Sequence, residues 1–506
     1  MPPVTVPTRL TRRRLLGAGL AAGGAIALGR AAPVLGAERA RSVGAGHSGA
    51  PDPVFSAELP ASPRRSGGVA GWIVGPPVQA PRRFDLVGVE WQGPVAAGVQ
   101  LRVLRRGGRW SPWVDVSGDR GHIPDGPISS RQISDPVWAG GADLVQLRAP
   151  RPWPRSLLHF VDVTRTEPSG RRGVVAPAMA ALQTSGHALA QPVLNAGPGQ
   201  PPIIARRGWT HGGFLPSEKP EYGRVKLAFV HHTQSANAYG PGESAAMVLS
   251  IAHYHRDVRG WHDIGYNFLI DRFGQIFEGR AGGIDEAVVG AQAGGYNLVS
   301  TGVGMLGSFQ GAPPPPAALH ALARVLGWKL SLHGLPVVGE VTVHVSAAGA
   351  GYSRYPAGAP VTLKRISGHR DGDSTDCPGN AMYHRLPALR QKVQGLVVQR
   401  AELTLAGAPS TTTPGAVALS GRLTLADGTP IAQAPIAIQR RATHSETVVG
   451  TATTAADGTW TLTVPATGPV RLRALYTGDA SHPAVISDPL EGALATSPAE
   501  VQPSQG

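Results

Sequence analysis

Hydrophobic and polar positions alternate with a period of two in two stretches of the chain, one before and one after its middle. The earlier stretch begins at Phe84 and contains the runs FDLVGVEW, VQLRVLRR, WSPWVDV, ADLVQLRA and LLHFVDVTR, separated by Gly, Pro and Asp. The later stretch contains VALSGRLTLADGT and TWTLTVP, with Asp-Gly pairs where tight turns are expected. Such alternation is typical of half-buried strands. It predicts a β-sandwich-like module over residues 80–167 and an immunoglobulin-like β-sandwich over residues 401–490.

Between these stretches the pattern changes, because apolar residues recur at helical spacing among short apolar strands. In GPGESAAMVLSIAHYHRDV the apolar residues Met247, Ile251 and Tyr254 lie on one face of a helix. The run YNFLIDRFGQIFEGR predicts a hairpin, and PPPPAALHALARVLGWKLSLHG predicts a helix that ends at Gly334. Residues 203–396 are therefore predicted to form an α/β domain. The fold class is a multidomain chain with this domain between two all-β modules.

The chain begins with a pattern that is typical of an export signal. Arg12, Arg13 and Arg14 precede a short apolar run that is rich in Gly and Ala. A twin-arginine pair before a weakly hydrophobic segment indicates the twin-arginine (Tat) export route for residues 1–37. The competing interpretation, a membrane anchor, is disfavoured because the run is short and rich in Gly. We therefore expect a mature protein without a transmembrane anchor, which is extracellular or associated with the cell wall.

Three further segments show little periodicity and are rich in small and turn-forming residues. They predict a flexible lead over residues 38–79, a linker over 168–202 and a disordered tail over 491–506. With these boundaries the 506 residues contain three folded modules, each of a usual domain size.

The chain is basic, with 47 Lys and Arg residues against 33 Asp and Glu residues and a formal net charge of +14. Five of the arginines lie in residues 1–37, which contain no acidic residue, so the net charge falls to +9 once that segment is removed. The sequence contains no dense basic arm and no spacing typical of a nucleic-acid-binding motif. We therefore expect no nucleic-acid partner, but a protein, expected to be monomeric, beside an anionic cell envelope.

Tryptophans in the earlier β module leave two interpretations open. Trp91, Trp110, Trp113 and Trp138 lie in or next to the predicted strands. They can form an aromatic platform for a sugar, or they can pack in the core of the module, which is the commoner role of strand tryptophans.

The chemistry-bearing residues lie on two separate segments of the central domain. His231 and His232 end the apolar strand that starts at Leu227, and His369 precedes Cys377 by eight positions in ISGHRDGDSTDCPGN. Cys377 is the only cysteine, so an internal disulfide is excluded. A His₂Cys set can bind zinc tetrahedrally and leave the fourth position to water. Because neighbouring strand residues point to opposite faces, His232 is expected to face away from the site.

The central domain resembles the peptidoglycan recognition protein/type-2 N-acetylmuramoyl-L-alanine amidase family, to which the amidase of phage T7 also belongs. The resemblance rests on RRGWTHGG, VHHT, RGWHDIGYNFLIDRFGQIFEGR, GAQAGGYNLVSTGVGMLGSF and GHRDGDSTDCPG, in order along residues 203–396. It implies a central mixed β-sheet flanked by helices and a zinc enzyme. Its substrate is bacterial peptidoglycan, in which it hydrolyses the amide between the lactyl group of N-acetylmuramic acid and L-alanine. The implied zinc ligands are His231, His369 and Cys377.

The resemblance also implies roles for other side chains. Tyr266 matches the tyrosine beside the reacting water, and the Thr375 hydroxyl occupies a position from which it can orient the substrate carbonyl. Five positions match residues near the substrate groove: Trp209, Arg280, Gln292, Tyr296 and Asn297. Gln292 departs from the pattern, because many relatives have a histidine there, and an amide cannot transfer a proton.

Two other functions remain open at this stage. A non-catalytic peptidoglycan receptor on the same fold is disfavoured because such members typically lose the cysteine ligand, and Cys377 is present. A structural envelope protein, in which the β modules carry the main role, is the other alternative. No sequence feature identifies the group that protonates the leaving amine.

Overall fold

The computed structural model describes residues 52–63, 71–92, 98–105, 108–116, 131–164, 200–397, 400–442, 445–465, 470–479 and 482–492. The predicted export signal, nearly all of the predicted linker and the chain after residue 492 lie outside the described residues. Within the described part of the chain, no helix combines the length and the apolar character needed to cross a membrane.

The N-terminal module is built from strands that all belong to one hydrogen-bonded sheet. Its order is β1-β8-β3-β7-β4-β5, with β2 paired to β7 and β6 paired to β3. The strands are β1 (Val54–Leu59), β2 (Ile73–Val74), β3 (Val78–Trp91), β4 (Gln100–Arg105), β5 (Val114–Asp115), β6 (Gln132–Ile133), β7 (Val137–Ala149) and β8 (Ser156–Val161).

The predicted all-β character of this module is confirmed, and its sandwich-like arrangement stays a prediction. The long strands β3 and β7 connect all eight strands in one hydrogen-bonded sheet, and β3 contains register shifts against β7. One sequence prediction about this part of the chain needs correction. The predicted flexible lead over 38–79 is wrong for residues 54–59, because β1 pairs with β8 along its whole length. The Pro- and Ser-rich surroundings of β1 concealed this strand.

The two faces of strand β3 pack against different partners. Val87, Val89 and Trp91 point into the core of the N-terminal module. Leu86 packs instead in a cluster with side chains of the central domain. A register shift after Phe84 sets this alternation. The N-terminal module therefore shares an apolar core with its neighbour in the chain.

The central domain contains a mixed five-stranded sheet, as the resemblance implied. Its order is β11-β10-β12-β9-β15, with β10, β12, β9 and β15 parallel and β11 antiparallel to β10. The strands of this sheet are β9 (Leu227–His232), β10 (Phe268–Ile270), β11 (Ile276–Glu278), β12 (Ser300–Met305) and β15 (Ile366–Gly368). Two further strands, β13 (Glu340–His344) and β14 (Pro360–Lys364), form a separate antiparallel hairpin. The helices are α1 (Arg207–Thr210), α2 (Ser244–His253), α3 (Pro316–Leu332), α4 (Asn380–Tyr383) and α5 (Leu386–Leu396).

The alternation of strand β9 decides which residues can reach the site. Ala228 and Val230 point to the face covered by α3 and α5. Leu227 and Phe229 point to the other face, where the hairpin β13–β14 packs over them. Helix α2 covers another part of that same face, over Leu269 of β10. His231 shares the face of Leu227 and Phe229, so it lies between the hairpin and α2.

The C-terminal module consists of two sheets around one core. One sheet contains β16, β18, β17 and β21, and the other contains β20, β19, β22, β23 and β24. This arrangement agrees with a sandwich, and its immunoglobulin-like topology stays a prediction. The strands are β16 (Ala401–Leu403), β17 (Ala406–Pro409), β18 (Ala416–Leu425), β19 (Pro435–Ala442), β20 (Ser445–Thr453), β21 (Thr459–Pro465), β22 (Val470–Tyr476), β23 (Val485–Ile486) and β24 (Leu490–Gly492).

Candidate metal centre

Three potential metal ligands converge at the ends of two adjacent parallel strands. His231 lies at the end of β9, and His369 begins the short helical turn that follows β15. Cys377 lies in the loop after that turn. One ligand atom from each of the three side chains lies within 4.8 Å of the other two, and all three residues are fully buried. The structure therefore brings together the three residues that the sequence predicted as a set.

The two nitrogens of His231 have different surroundings. Its Nε2 lies 2.5 Å from Oε1 of Gln292, and its Nδ1 lies 3.7 Å from Sγ of Cys377. The Gln292 amide is oriented in turn, because its Nε2 donates to the hydroxyl of Ser300 at 2.8 Å. Gln292 Oε1 can therefore only accept, so His231 carries its proton on Nε2 and presents Nδ1 to the cluster.

His369 has a carboxylate in the equivalent supporting position. Its Nε2 lies 2.9 Å from Oδ2 of Asp373, and both side chains are inaccessible to solvent. This contact assigns Nε2 to the carboxylate and Nδ1 to the cluster, as in many histidines that bind metals. Asp373 was missed in the sequence analysis, although a carboxylate four residues after His369 was an available signal.

This donor set fits a zinc ion. Two imidazole nitrogens and one sulfur are ligands that zinc accepts tetrahedrally, and three protein ligands leave one position open. His232 does not belong to the set, as expected from the strand alternation. Its Nδ1 accepts a hydrogen bond from the backbone N–H of Phe309 at 3.3 Å, while its own backbone N–H contacts Sγ of Cys377 at 3.4 Å.

Two glycines of β12 make room for side chains beside the cluster. A Cβ at Gly304 would lie 3.0 Å from the ring of Tyr266, and a Cβ at Gly302 would lie 2.5 Å from Gln292 Cγ. The Tyr266 ring centre lies 5.5 Å from that of His231. Tyr266 is therefore next to the potential metal ligands, where its predicted role requires it.

Thr375 supports the cysteine loop directly. Its hydroxyl oxygen accepts a hydrogen bond from the backbone N–H of Cys377 at 2.9 Å. The O–H hydrogen of Thr375 is not used in that bond, so the hydroxyl can also donate. The structure thus gives Thr375 a local structural role in addition to its predicted role toward the substrate.

Four of the five predicted substrate-contacting residues are buried supports of the site, and these assignments need correction. Trp209 is inaccessible and donates from Nε1 to the carbonyl of Glu278 at 2.8 Å. Gln292 lies behind His231. Tyr296 is inaccessible and its hydroxyl contacts Oγ of Ser353 at 2.9 Å. Asn297 Oδ1 accepts from the backbone N–H groups of Gln292 and Ala293 at 2.9 and 3.1 Å, which shapes the loop between them.

Arg280 is the predicted substrate residue that does line a cleft. The cleft has a volume of about 290 Å³, and its wall includes Lys219, His262, Asp263 and Ser346. Burial lowers the pKa of the Arg280 guanidinium, and the negative charge of Asp263 opposes this effect. The cleft wall thus contains both cationic and acidic side chains, which suits a polar or zwitterionic ligand.

The hairpin β13–β14, which was not predicted from the sequence, contacts the loop between His369 and Cys377. The segment between its two strands forms an isolated β-bridge from Ser353 to Asp373 in that loop. Arg354 of the same segment donates from Nε to the carbonyl of Asp373 at 2.9 Å. This segment also contributes Ser346 to the cleft. The alternating run EVTVHV was an available signal for this element.

Comparison with known proteins assigns families to two parts of the chain. Residues 221–380 match the family described as N-acetylmuramoyl-L-alanine amidase, and residues 50–181 match the one described as Rv3811 N-terminal galactose-binding domain-like. Peptidoglycan-recognition protein SC1a of Drosophila melanogaster is 28% identical over 162 residues, which is 32% of this chain and 72% of the relative. An N-acetylmuramoyl-L-alanine amidase of Sus scrofa is 28% identical over 213 residues, which is 40% of this chain and 30% of the relative. The solved structure of Drosophila PGRP-LB has a TM-score of 0.28 and 25% identity, covering 37% of this chain and 92% of its own.

These matches define the central domain as one of the amidase class, preceded by a galactose-binding-like β domain. Residues 221–380 of the central domain are thus assigned to the peptidoglycan recognition protein/type-2 N-acetylmuramoyl-L-alanine amidase family. The family expected from the sequence motifs is confirmed.

Proposed function

We propose that the protein is a zinc-dependent amidase that removes stem peptides from bacterial peptidoglycan. The observation that carries this proposal is the arrangement of His231, His369 and Cys377, in which both imidazoles direct Nδ1 to one point. The proposed reaction is the hydrolysis of the amide between the lactyl group of N-acetylmuramic acid and L-alanine.

The residues around the cluster suit this reaction. The water oxygen bonds to the lactyl carbonyl carbon, the C–N bond breaks, and the products are a lactyl carboxylate and the free amine of L-alanine. A zinc ion at the cluster would supply Lewis acidity to the water and the carbonyl. The Tyr266 phenol, beside the ring of His231, would donate a hydrogen bond to the carbonyl oxygen as that oxygen gains negative charge. The Thr375 hydroxyl would orient the same group from the cysteine loop.

The supporting residues matter because they fix the imidazoles in advance. Gln292 and Asp373 each accept from an Nε2, so neither ring needs to rotate or change tautomer when a metal binds. Preorganised donors cost no reorganisation energy during the reaction. The alternative function is a receptor on the same fold that binds peptidoglycan without cleaving it, as the names of several relatives suggest.

Release of stem peptide from purified sacculi distinguishes these two functions. We expect zinc-loaded protein to release peptides with a free L-alanine amine, and chelated protein to release none. His369→Asn should abolish release and zinc retention, whereas His384→Asn, at an exposed histidine nearby, should change neither. Zinc retention without peptide release in the unmodified protein would favour the receptor.

Peptidoglycan lies outside the cytoplasmic membrane, so the proposed function requires export. We infer that residues 1–37 direct Tat export and that the mature protein works in or beyond the cell wall. Replacing Arg12, Arg13 and Arg14 by lysine should retain the precursor inside the cell. Normal secretion of that variant would exclude the Tat route.

A further inference from the structure

Three tryptophans and two arginines form one alternating stack on the outer face of the N-terminal sheet. In order, this Trp–Arg array contains Trp72, Arg148, Trp113, Arg102 and Trp110. Successive guanidinium-to-ring distances are 4.3, 4.5, 4.4 and 4.7 Å. All five residues are partly accessible to solvent, unlike Trp91 and Trp138, which are buried. The aromatic platform considered from the sequence therefore contains Trp110 and Trp113, but not the other two.

The arginines of the array pair with neutral side chains. Arg102 donates from Nε and Nη2 to Oε1 of Gln146, which is its cross-strand partner in β7. Arg148 donates from Nε to Oε1 of Gln100, its own cross-strand partner in β4. Among the residues that the structure describes, neither arginine forms an ion pair. Within the described part of the chain, no carboxylate therefore forms an ion pair with the two positive charges of the array.

Burial and the proximity of two like charges both disfavour the protonated form of the arginines in the array. Burial lowers the pKa of both guanidinium groups, and the charge of Arg102 lowers that of Arg148 further. Both nevertheless stay protonated, because an arginine pKa lies far above neutral pH. Two cations that are held close together, and paired with amides in the part of the chain that the structure describes, favour an anionic ligand.

The array is also rigid before any ligand arrives. Arg148 lies between two tryptophan rings, as does Arg102, so little side-chain freedom remains for either to lose on binding. Arg148 uses Nε, and Arg102 uses Nε and Nη2, in the hydrogen bonds to the glutamines. The remaining N–H groups of the two guanidinium groups can donate to a planar carboxylate. Among the described residues, Trp72 and Trp110, at the ends of the stack, each have an arginine on one ring face.

We propose that the Trp–Arg array binds peptidoglycan glycan strands that carry free lactyl carboxylates. This proposal rests on the proposed function, because amide hydrolysis leaves one such carboxylate on each N-acetylmuramic acid that loses its peptide. The lactyl carboxylate is attached to the sugar ring itself, so one sugar residue can contact a tryptophan and a guanidinium together. A carboxylate at the far end of a stem peptide cannot do so. The N-terminal module would thus hold the enzyme on the strands that it has already stripped.

Binding can be measured separately from catalysis with full-length protein that carries Cys377→Ser. The first probe is glycan strands stripped of peptide by an unrelated amidase. The second is the same strands after their carboxylates have been converted to methylamides, and the third is undigested sacculi. We expect binding to the stripped strands to exceed binding to the methylamidated strands by about tenfold or more, since charge-assisted hydrogen bonds are lost. Undigested sacculi also offer the substrate of the central domain, so binding to them should not depend on Arg102 and Arg148. Equal binding to stripped and methylamidated strands would overturn the proposal without any substitution in the array.

Substitutions then locate the binding surface. Arg102→Gln with Arg148→Gln should remove the preference for stripped strands. The matched control is Arg82→Gln, because Arg82 stacks on Phe55 at 4.2 Å in the same module but lies outside the array. An unchanged preference in the double variant would place binding elsewhere and overturn the proposal.

The peptide-release assay on protein with Cys377 intact keeps the two proposals distinguishable. Peptide release without array-dependent binding retains the amidase and rejects the array as a glycan site. Array-dependent binding without peptide release rejects the amidase, and retains the array as a site for carboxylated glycan.

Discussion

The two β modules contact the central domain through different chemistry. The N-terminal module fits against it by shape, with a glycine of β3 beneath the ring of Tyr254. The C-terminal module combines apolar contacts with a cluster of buried charges, in which Arg473 of β22 lies against Asp285 and Glu286. A fit of shapes is sensitive to added volume, whereas a buried ion pair is sensitive to the loss of a charge. The two contacts should therefore fail under different substitutions.

The N-terminal contact is close-packed. A Cβ at Gly88 would lie 1.8 Å from the hydroxyl oxygen of Tyr254, so only glycine allows this approach. The same hydroxyl donates to the carbonyl of Ser134 at 3.1 Å. Beside it, Arg259 and Asp135 form an ion pair of 2.7 Å in which both side chains are about 7% exposed.

The C-terminal contact places opposite charges together with little solvent. Arg473 contacts Asp285 through Nη2 and Glu286 through Nη1, the latter at 3.1 Å, and all three side chains are at most 6% exposed. Arg471 adds a guanidinium 3.9 Å above the ring of Tyr222. Apolar contacts contribute here as well, since β22 and β23 provide Leu475 and Ile486 to the core of the central domain.

Each contact involves residues that lie close in the chain to residues of the candidate site or of the cleft. Tyr254 is followed by His255, whose ring lies 5.9 Å from that of Tyr266. Asp285 and Glu286 lie in the stretch that follows Arg280 of the cleft wall. The N-terminal contact is thus linked through His255 to the neighbourhood of Tyr266, and the C-terminal contact lies a few residues along the chain from the cleft wall.

The largest effect is expected for Arg473→Met. This change leaves Asp285 and Glu286 buried without their main cation, which costs about 3–5 kcal/mol. Denaturant unfolding of the whole chain measures the loss. Arg422→Met is the control, because Arg422 is an exposed arginine of the same module and should change stability little. If both variants unfolded alike, the C-terminal contact would not depend on charge.

A smaller loss is expected for Gly88→Ala at the N-terminal contact. The added Cβ must displace the ring of Tyr254, and overpacking of this kind costs about 1–3 kcal/mol. Gly242→Ala is a suitable control, since a Cβ at Gly242 would meet no atom within 4 Å. Equal stability of the two variants would mean that Tyr254 can move aside freely.

The contrast between these contacts shows what the sequence could and could not predict. Strand alternation and the family motifs were enough to group His231, His369 and Cys377, because motif spacing and strand ends are local features. The same motifs misassigned Trp209 and Tyr296 to the substrate groove. A motif position does not indicate whether a side chain faces a cleft or the packing behind it, which depends on distant segments.

The contacts between the modules could not be predicted from the sequence, because they too depend on distant segments. Period-two alternation predicted the strand that contains Gly88, but not that Tyr254, far along the chain, would need the missing Cβ. Likewise, the charges of Asp285 and Arg473 are visible in the sequence, while their burial together follows only from the packing of two modules.

The coupling between Gly88 and Tyr254 gives a finer prediction. Tyr254→Phe removes the hydrogen bond to Ser134, at a cost of about 1 kcal/mol. It also removes the atom nearest to the added Cβ, so Gly88→Ala should cost less in the Tyr254→Phe background than alone. A double-mutant cycle of unfolding free energies measures this coupling. Simple additivity would mean that the phenol oxygen is not the obstacle.

The smallest expected effect is a pH dependence confined to the N-terminal contact. Arg131 donates from Nη1 to the carbonyl of Val258 in the central domain at 2.9 Å, and it is held there by Glu90. The hydrogen bonds from Arg131, and then that from His159, lower the pKa of Glu90 from 4.5 to about 2.

A lowered carboxyl pKa stabilises the folded state above the unfolded pKa, and this stabilisation is lost as the pH falls from 4.5 to about 2. Because Glu90 is partly exposed, we expect a loss of less than about 1 kcal/mol across that range. Glu90→Gln should remove this part of the pH dependence of unfolding. Glu58→Gln should leave it intact, because Glu58 is 68% exposed in a 3.7 Å pair with Arg155. If the two variants shared one pH profile, Glu90 would contribute nothing through Arg131 to the attachment of the module.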